Sequence, residues 1–364
     1  MAETIAVHRA VESQPRLSRR VRKLIERTIG YTAATIIGFF FIFPVVWMFF
    51  TAFKSDQDVF RFPPTLLPHA VQYVDVDGQS LPLYIVSPPD SEPRELALVN
   101  VSEGQGTYVN PNDPSEVIQT RARYAEPVLT VQFQWHNFSD AMNRGARPGM
   151  NVNFWTYFKN SSIVAFFTII GTLFSCSLAA YGFARIRWPG RDLVFIIVLS
   201  TMMLPFQVTM IPLFLFFTET LHWGNTFLPI IVPSFFANAF DIFLLRQFFR
   251  GIPEEMLDAA RADGASEFRV FWSIVLPLSK PVLATIAIFT FLWAWNDFLG
   301  PLLYLNSPEK FTLALGLQDY QGQRNVAWNQ LMAASVVFTM PVMIAFFFAQ
   351  RTFIEGIKLT GSKG

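Results

Sequence analysis

Between residues 252 and 281 the chain reads IPEEMLDAARADGASEFRVFWSIVLPLSKP, a polar stretch between two long apolar runs. A segment flanked in this way sits in water at a membrane surface, yet the stretch carries the marks of a well-specified helix. Pro253 suits the first helical position, where its missing N–H costs nothing, and Glu254 and Glu255 complement the helix dipole. Met256, Ala259, Ala260 and Asp263 fall on one face at helical spacing, and Gly264 is placed to close the helix. Ser266 is placed to cap a second short helix, which Pro277 is expected to stop. So short a surface helix is marginal alone and calls for a partner to pack against. Small side chains at Ala259 and Ala260 leave room for a partner's groove to approach.

The rest of the composition agrees with a membrane setting. Of 364 residues, 52% are hydrophobic and only 15% charged, too apolar for an ordinary soluble domain. Six apolar runs, near 29–53, 163–184, 193–217, 227–249, 281–305 and 331–349, reach the length of about 20 residues that a bilayer crossing needs. The first run is too long for a signal peptide, and no small-residue cleavage site follows it before Lys54, so it reads as a retained span. Lys and Arg set the orientation. They crowd the amino-terminal tail (Arg9, Arg16, Arg19, Arg20, Arg22, Lys23, Arg27), the 185–192 loop (Arg185, Arg187, Arg191) and the 250–280 loop (Arg250, Arg261, Arg269, Lys280). The 218–226 loop has none. Both termini and the 250–280 loop are therefore expected on the cytoplasmic side.

Between the first two runs the chain changes character. VQYVDVDGQSLPLYIV alternates apolar and polar residues about an Asp77-Gly78 turn, a hairpin signal. ELALVNV, GTYV and AEPVLTVQF are further strand candidates, broken by PPDSEP and NPNDPSE. This predicts a β-rich insert at about 69–132, a small sandwich or barrel outside the membrane. Residues 1–28 read as a flexible basic tail lying against anionic lipid. The second run is rich in Gly, Ser and Ala, which places it inside a helix bundle. Pro205 and Pro212 should kink the third. Asn238 and Asp241 share a face of the fourth, and Asn296 and Asp297 sit in the outer half of the fifth. A charge inside a span is costly unless it lines a cavity or meets a partner.

No catalytic chemistry is legible. There is no phosphate-binding glycine loop, nucleophile elbow or dinucleotide fingerprint, four His lack metal-ligand spacing, and the single Cys176 cannot pair within the chain. Neither a cofactor, a metal nor a nucleic-acid partner is expected.

DAARADGA, followed by Phe268, Ile274, Leu276-Pro277 and Pro281, resembles the EAA loop of binding-protein-dependent ABC transporter permeases. Asp258 stands where that pattern has Glu, keeping the charge one carbon shorter. QWHNFSDAMN at 134–143, FLWAWNDFLGPLLY in the fifth run and PEKFTLALGLQDYQGQRNVAWNQLMAAS after it are similar to the sugar-uptake form of the family, the shorter permease of maltose-type and glycerol-3-phosphate-type systems. The resemblance implies an all-α polytopic fold of six transmembrane helices in a bacterial or archaeal plasma membrane, with the permease core at 163–349 and a cytoplasmic tail at 350–364. It implies that Glu255, Asp258, Ala259, Ala260, Asp263 and Gly264 belong to a coupling helix docked on one of two ATP-binding-cassette subunits, which bind the ATP. A second permease and an extracytoplasmic solute-binding protein complete the implied assembly, and the 308–335 segment would touch the binding protein. The implied solute is a di- or oligosaccharide, with glycerol 3-phosphate or a polyol as the alternative. A self-contained secondary carrier would need inverted repeats and paired intramembrane charges, and neither is evident. Asn238, Asp241, Asn296 and Asp297 are the candidate pathway residues. For Asp241 a pore site and a contact with the partner permease both remain open. For Asn296 and Asp297, and for the aromatics Phe291, Trp293, Trp295 and Phe298, packing competes with solute contact.

Overall fold

Helix α1 (Arg19–Thr51) begins inside the basic tail and carries Pro44 within it. The computed structural model describes residues 19–87, 92–143, 152–321 and 327–361. Arg9, Arg16, much of the PPDSEP break and residues 322–326 of the 308–335 segment lie outside the described residues. The expectation of a flexible tail fails for residues 19–28. Arg, Lys, Leu and Glu are good helix formers, and Arg22 pairs with Glu26 one turn on at 2.9 Å.

After α1 come α2 (Asp56–Val59) and the insert: β1 (His69–Val71), β2 (Tyr73–Val76), β3 (Gln79–Val86), β4 (Arg94–Ser102), β5 (Gln105–Asn110), β6 (Asp113–Arg121), β7 (Ala125–Pro127) and β8 (Leu129–Val131). Strands β2 to β6 form one antiparallel meander in sequence order; β7 pairs with β3, and β1 with β8 in a two-stranded ribbon. Asp77 and Gly78, at φ 53° and 79°, make the expected two-residue turn, and Glu103-Gly104 repeats it between β4 and β5. The expected sandwich or barrel is not formed. Val76, Ala97 and Val109 cluster in one place and Val86, Leu96 and Tyr108 in another, so a single open sheet carries two small cores. Strand β6 also starts inside the NPNDPSE stretch read as a break. Pro114 is tolerated there because β6 is an edge strand, bonded to β5 alone in the sheet path.

The remaining helices are α3 (His136–Asn143), α4 (Phe154–Ala184), α5 (Arg191–Ser200), α6 (Phe206–Leu215), α7 (Leu228–Ile231), α8 (Ala239–Arg250), α9 (Glu254–Ala262), α10 (Glu267–Val270), α11 (Leu276–Leu278), α12 (Lys280–Asn296), α13 (Leu299–Tyr304), α14 (Leu313–Gln321) and α15 (Trp328–Gly361). Among the described residues, four stretches are long and apolar enough to cross a membrane: 20–51, 154–184, 228–250 and 328–348. Two more are bent pairs, 191–203 with 206–220 at 95° and 267–278 with 280–296 at 77°, which makes six if each pair is one span. The bend in the third span falls at Pro205, as expected, whereas Pro212 lies within α6. Pro277 does not stop the second surface helix, which runs on to Leu278. A π-turn at Phe271–Val275 ends two residues before Pro277 and widens the turn against which its ring would clash.

Helix α4 is the centre of the bundle, packed on α8, α12, α14 and the 3₁₀ turn Val232–Phe236. Two cores lie along it: one holds Val164 and Ala165 with Trp295 and Leu313, the other Cys176 and Ala180 with Leu245, Phe249 and Leu257. Between them the close approach rests on Gly171, where a Cβ would lie 2.2 Å from Ser234 Oγ and 2.6 Å from the Phe235 ring. Gly171→Leu should therefore destabilise the bundle by about 1–3 kcal/mol through overpacking. A lower melting temperature of the detergent-solubilised protein checks this, and an unchanged one would rule the contact out.

Candidate functional site

Two regions carry the candidate residues. In the first, α9 lies on the surface with Glu255, Met256, Asp258, Ala259 and Asp263 exposed, while Leu257 is fully buried and anchors the helix. Pro253 is the residue before the first turn, one position earlier than its spacing suggested. Gly264, at φ 83°, ends the helix. Its N–H donates to Arg261 O at 2.9 Å and the Ala265 N–H donates to Ala260 O at 3.0 Å, the paired bonds of a glycine-terminated helix end. Ser266 caps α10 by accepting from the Arg269 N–H.

A ring of charged hydrogen bonds ties this surface to α4, and the sequence reading did not find it. Arg185, just past the end of α4, donates to Phe249 O at 3.1 Å, to Ile252 O and to Glu254. Arg261 donates to Glu254 at 3.1 Å, to Asp258 at 2.7 Å and to Glu267 at 2.8 Å. The Tyr181 hydroxyl donates to the other Glu267 oxygen, which returns the ring to α4 one turn before Arg185. Arg261, and then Tyr181, hold the Glu267 carboxyl below its ordinary range. The three carboxylates around Arg261 push its guanidinium pKa up. Phe268 and Trp272 stack beside this ring with their faces exposed.

The second region is a cavity of about 670 Å³ within the bundle. Thr168 and Thr172 of α4, Ser234, Asn238 and Asp241 of the fourth span, and Thr290 of α12 supply its polar lining; Phe240, Phe289 and Trp293 supply aromatic faces. The fourth span is not a continuous helix here. Ala237 sits at φ 61°, and Asn238 becomes the cap of α8, accepting from the Asp241 N–H at 2.9 Å and donating to Asp241 Oδ2 at 2.6 Å. The break is held by α4: the Ala237 N–H donates to Ser175 Oγ at 3.1 Å, and the Asn238 N–H donates to Cys176 Sγ at 3.4 Å. Asp241 is 7% exposed, and the buried Thr168 Oγ1 has no partner among the described residues.

The structure separates the four candidate pathway residues. Asn238 and Asp241 come together in the cavity, whereas Asn296 and Asp297 are not in its lining. Asn296 donates to Leu292 O, and Asp297 accepts from the Gly300 N–H at 3.0 Å across the break between α12 and α13. Two of the four aromatics divide the same way. Trp295 is buried and donates to Phe338 O at 3.0 Å, but Trp293, two residues away and on the other side of α12, faces the cavity.

The profile of the family described as binding-protein-dependent transport system inner membrane component matches residues 154–358, more than half of the chain. The chain belongs to that family. This permease is 38% identical over 211 residues to the arabinooligosaccharides transport system permease protein AraQ of Bacillus subtilis (strain 168), covering 58% of this chain and 74% of that one. It is 36% identical over 214 residues to the sn-glycerol-3-phosphate transport system permease protein UgpE of Salmonella typhi, covering 57% and 75%. A solved bacterial ABC transporter involved in the import of the acidic polysaccharide alginate shares the fold at TM-score 0.66 and 21% identity, over 93% of this chain and 99% of that one. As such a permease the chain is a multi-helix inner membrane component, not an enzyme, and works with a solute-binding protein and with an ATPase on separate subunits.

Proposed function

We propose that this permease forms half of the transmembrane pathway for a neutral sugar, a di- or oligosaccharide. A second permease subunit, two ATP-binding-cassette subunits and an extracytoplasmic binding protein complete the importer, with both termini of this chain in the cytoplasm. The observation that carries the solute class is the cavity lining. It offers hydroxyls, an amide, one carboxylate and aromatic faces, and no Lys or Arg among the described residues. Sugar hydroxyls donate to a carboxylate and accept from hydroxyls and amides, and sugar rings stack on aromatic faces. A phosphate ester calls for a cation that this lining does not offer. Similarity to the arabinooligosaccharide permease supports the sugar, and similarity to the glycerol-3-phosphate permease supplies the competing solute.

Energy enters through Glu255, Asp258, Ala259, Ala260, Asp263 and Gly264. The exposed face of α9, with Phe268 and Trp272 beside it, docks on an ATP-binding-cassette subunit, and closing of the ATPase pair drives the helix. The charged ring passes that movement to α4, and α4 lines the cavity, which then alternates between its two openings. The binding protein delivers solute to the outward-open state, so the cavity itself needs only a weak site.

Uptake of labelled maltose, arabinobiose and glycerol 3-phosphate into proteoliposomes holding the full complex tests the reading. ATP-dependent uptake of a neutral sugar is expected, and uptake of glycerol 3-phosphate alone would overturn it. Gly264→Val tests the docking. Open space surrounds a Cβ at Gly264, so the effect comes from φ 83°, which costs a β-branched residue about 1–3 kcal/mol. Transport should fall several-fold with the subunit still inserted in the membrane. Unchanged transport in both Gly264→Val and Ala260→Trp would remove α9 from the ATPase interface.

A further inference from the structure

We propose that a second pocket, where the outer end of the first span meets the β insert, binds a saccharide unit of the same neutral solute, outside the membrane cavity. The proposal deepens the sugar reading and rests on it. The pocket measures about 420 Å³, within the range of about 300–1,000 Å³ usual for small-molecule sites. It is built rather than incidental. Asp58, 5% exposed, is held by two elements: Ser55 caps its helix by accepting from the Asp58 N–H, and Asp58 Oδ2 accepts from the His69 N–H at 2.8 Å, fastening β1 to α2. That leaves Asp58 Oδ1 buried without a hydrogen-bond partner among the described residues, and His69 Nδ1 is buried in the same condition. Burying an unmatched polar atom is costly, so the Asp58 oxygen asks for a guest that donates, and the His69 nitrogen for one that donates or accepts according to its tautomer.

The other walls say what kind of guest. Arg61 and Gln134 are half-buried in the lining, and Gln132 and Tyr73 stand at its rim. No side-chain hydrogen bond engages Arg61, Gln132 or Gln134 among the described residues, so the lining holds a guanidinium and two amides with pairing capacity to spare. Lys54, whose charge acts on Asp58 from nearby, is turned away: its ammonium donates to Thr65 O and lies over the Trp47 ring at 4.9 Å. One carboxylate balanced by one guanidinium, with amides and a phenol ring, suits a neutral ligand that donates and accepts at closely spaced points and has one apolar face. A sugar ring is such a ligand. A bare metal ion is a poor fit, because the described residues hold no group of three His, Cys, Asp or Glu. An anion would meet Asp58.

The test is ligand-observed saturation-transfer NMR on the full complex in nanodiscs, without binding protein, using maltose, arabinobiose and glycerol 3-phosphate as probes. At least one neutral sugar should give a signal in wild type. Its Kd should rise at least tenfold in Asp58→Asn, where the amide can keep the His69 bond only by turning an N–H toward the pocket. Because Asp58→Asn also loosens the α2–β1 fastening, Arg61→Ala and Gln132→Ala serve as second variants that leave it intact, and each should raise Kd several-fold. Sugar binding unchanged in all three variants overturns the proposal. So does a glycerol 3-phosphate signal lost in Arg61→Ala but kept in Asp58→Asn. Loss of binding-protein docking in these variants, with no sugar signal in wild type, would mark the pocket as a protein contact and overturn it too. The uptake assay keeps the two readings apart. Sugar uptake without Asp58-dependent binding sinks this site alone, and no uptake of any sugar sinks the reading beneath it.

Discussion

Arg185→Ala is expected to reduce coupled transport to background while the spans still insert. The side chain is 7% exposed and donates to three groups on two other elements: Phe249 O and Ile252 O at the end of α8, and Glu254 in the first turn of α9. Removing it leaves two carbonyls at a helix end without that donor, at about 1–3 kcal/mol for each that stays buried. The exposed Glu254 carboxylate adds little, since water and Arg261 still serve it. The loss therefore concentrates where α8, which carries Asp241, turns into the surface helix. With this pin gone, α9 loses its fixed contact with the end of α8, and the Arg261–Glu267–Tyr181 side of the ring is left to carry its movement to α4 through a single hydroxyl. The diagnostic readout is ATP hydrolysis that continues in the assembled complex while sugar uptake stops. Arg185→Lys, a point charge without the planar fork, should recover only part of the coupling. Normal uptake in Arg185→Ala would show that force reaches the cavity by another route.

The surface helix was legible because its signals are local. Pro253, the two acids, Gly264 and Ser266 each act within a turn of themselves, and each sits where its chemistry predicts to within a residue. The ring around Arg261 was not, because Tyr181 and Arg185 are far from Glu254 and Glu267 along the chain and only the fold joins them. The break in span four falls between these cases. Asn238 followed by Asp241 is a local capping pattern, yet it lies in an apolar run long enough to read as unbroken helix. What decides it is the backbone of Ala237, held at positive φ by Ser175 and Cys176 from another helix. Cys176, buried in an apolar core, thus also serves as a weak acceptor at that break. Pro277 and Pro114 misled for one reason: a proline forbids an ordinary helix interior or central strand, but not the helix just after a π-turn or an edge strand.

Asp241→Asn is expected to lower kcat/KM for the transported sugar by about 10–100-fold, with normal yield of the complex. Counted along a continuous helix, Asp241 would lie near the bilayer midplane; the fold buries it in the first turn of α8, beside the cavity. A carboxylate so placed cannot face lipid cheaply. One of its oxygens is engaged by Asn238 Nδ2 at 2.6 Å. The other accepts no hydrogen bond from the described residues, and a sugar hydroxyl can donate to it. Asparagine keeps the shape and, through its backbone N–H, the Asn238 cap. It cannot keep two acceptors: if its oxygen stays on Asn238, its amide N–H points into the cavity where an acceptor stood. A hydrogen bond to a charged group contributes about 1.5–3 kcal/mol, which sets the expected fold-change. A contact between permease subunits predicts the reverse pattern, poor assembly with unchanged kinetics per assembled complex. Wild-type kinetics across several sugars, at normal yield, would remove Asp241 from the pathway and leave Thr168, Thr172 and Thr290 as the polar groups to test next.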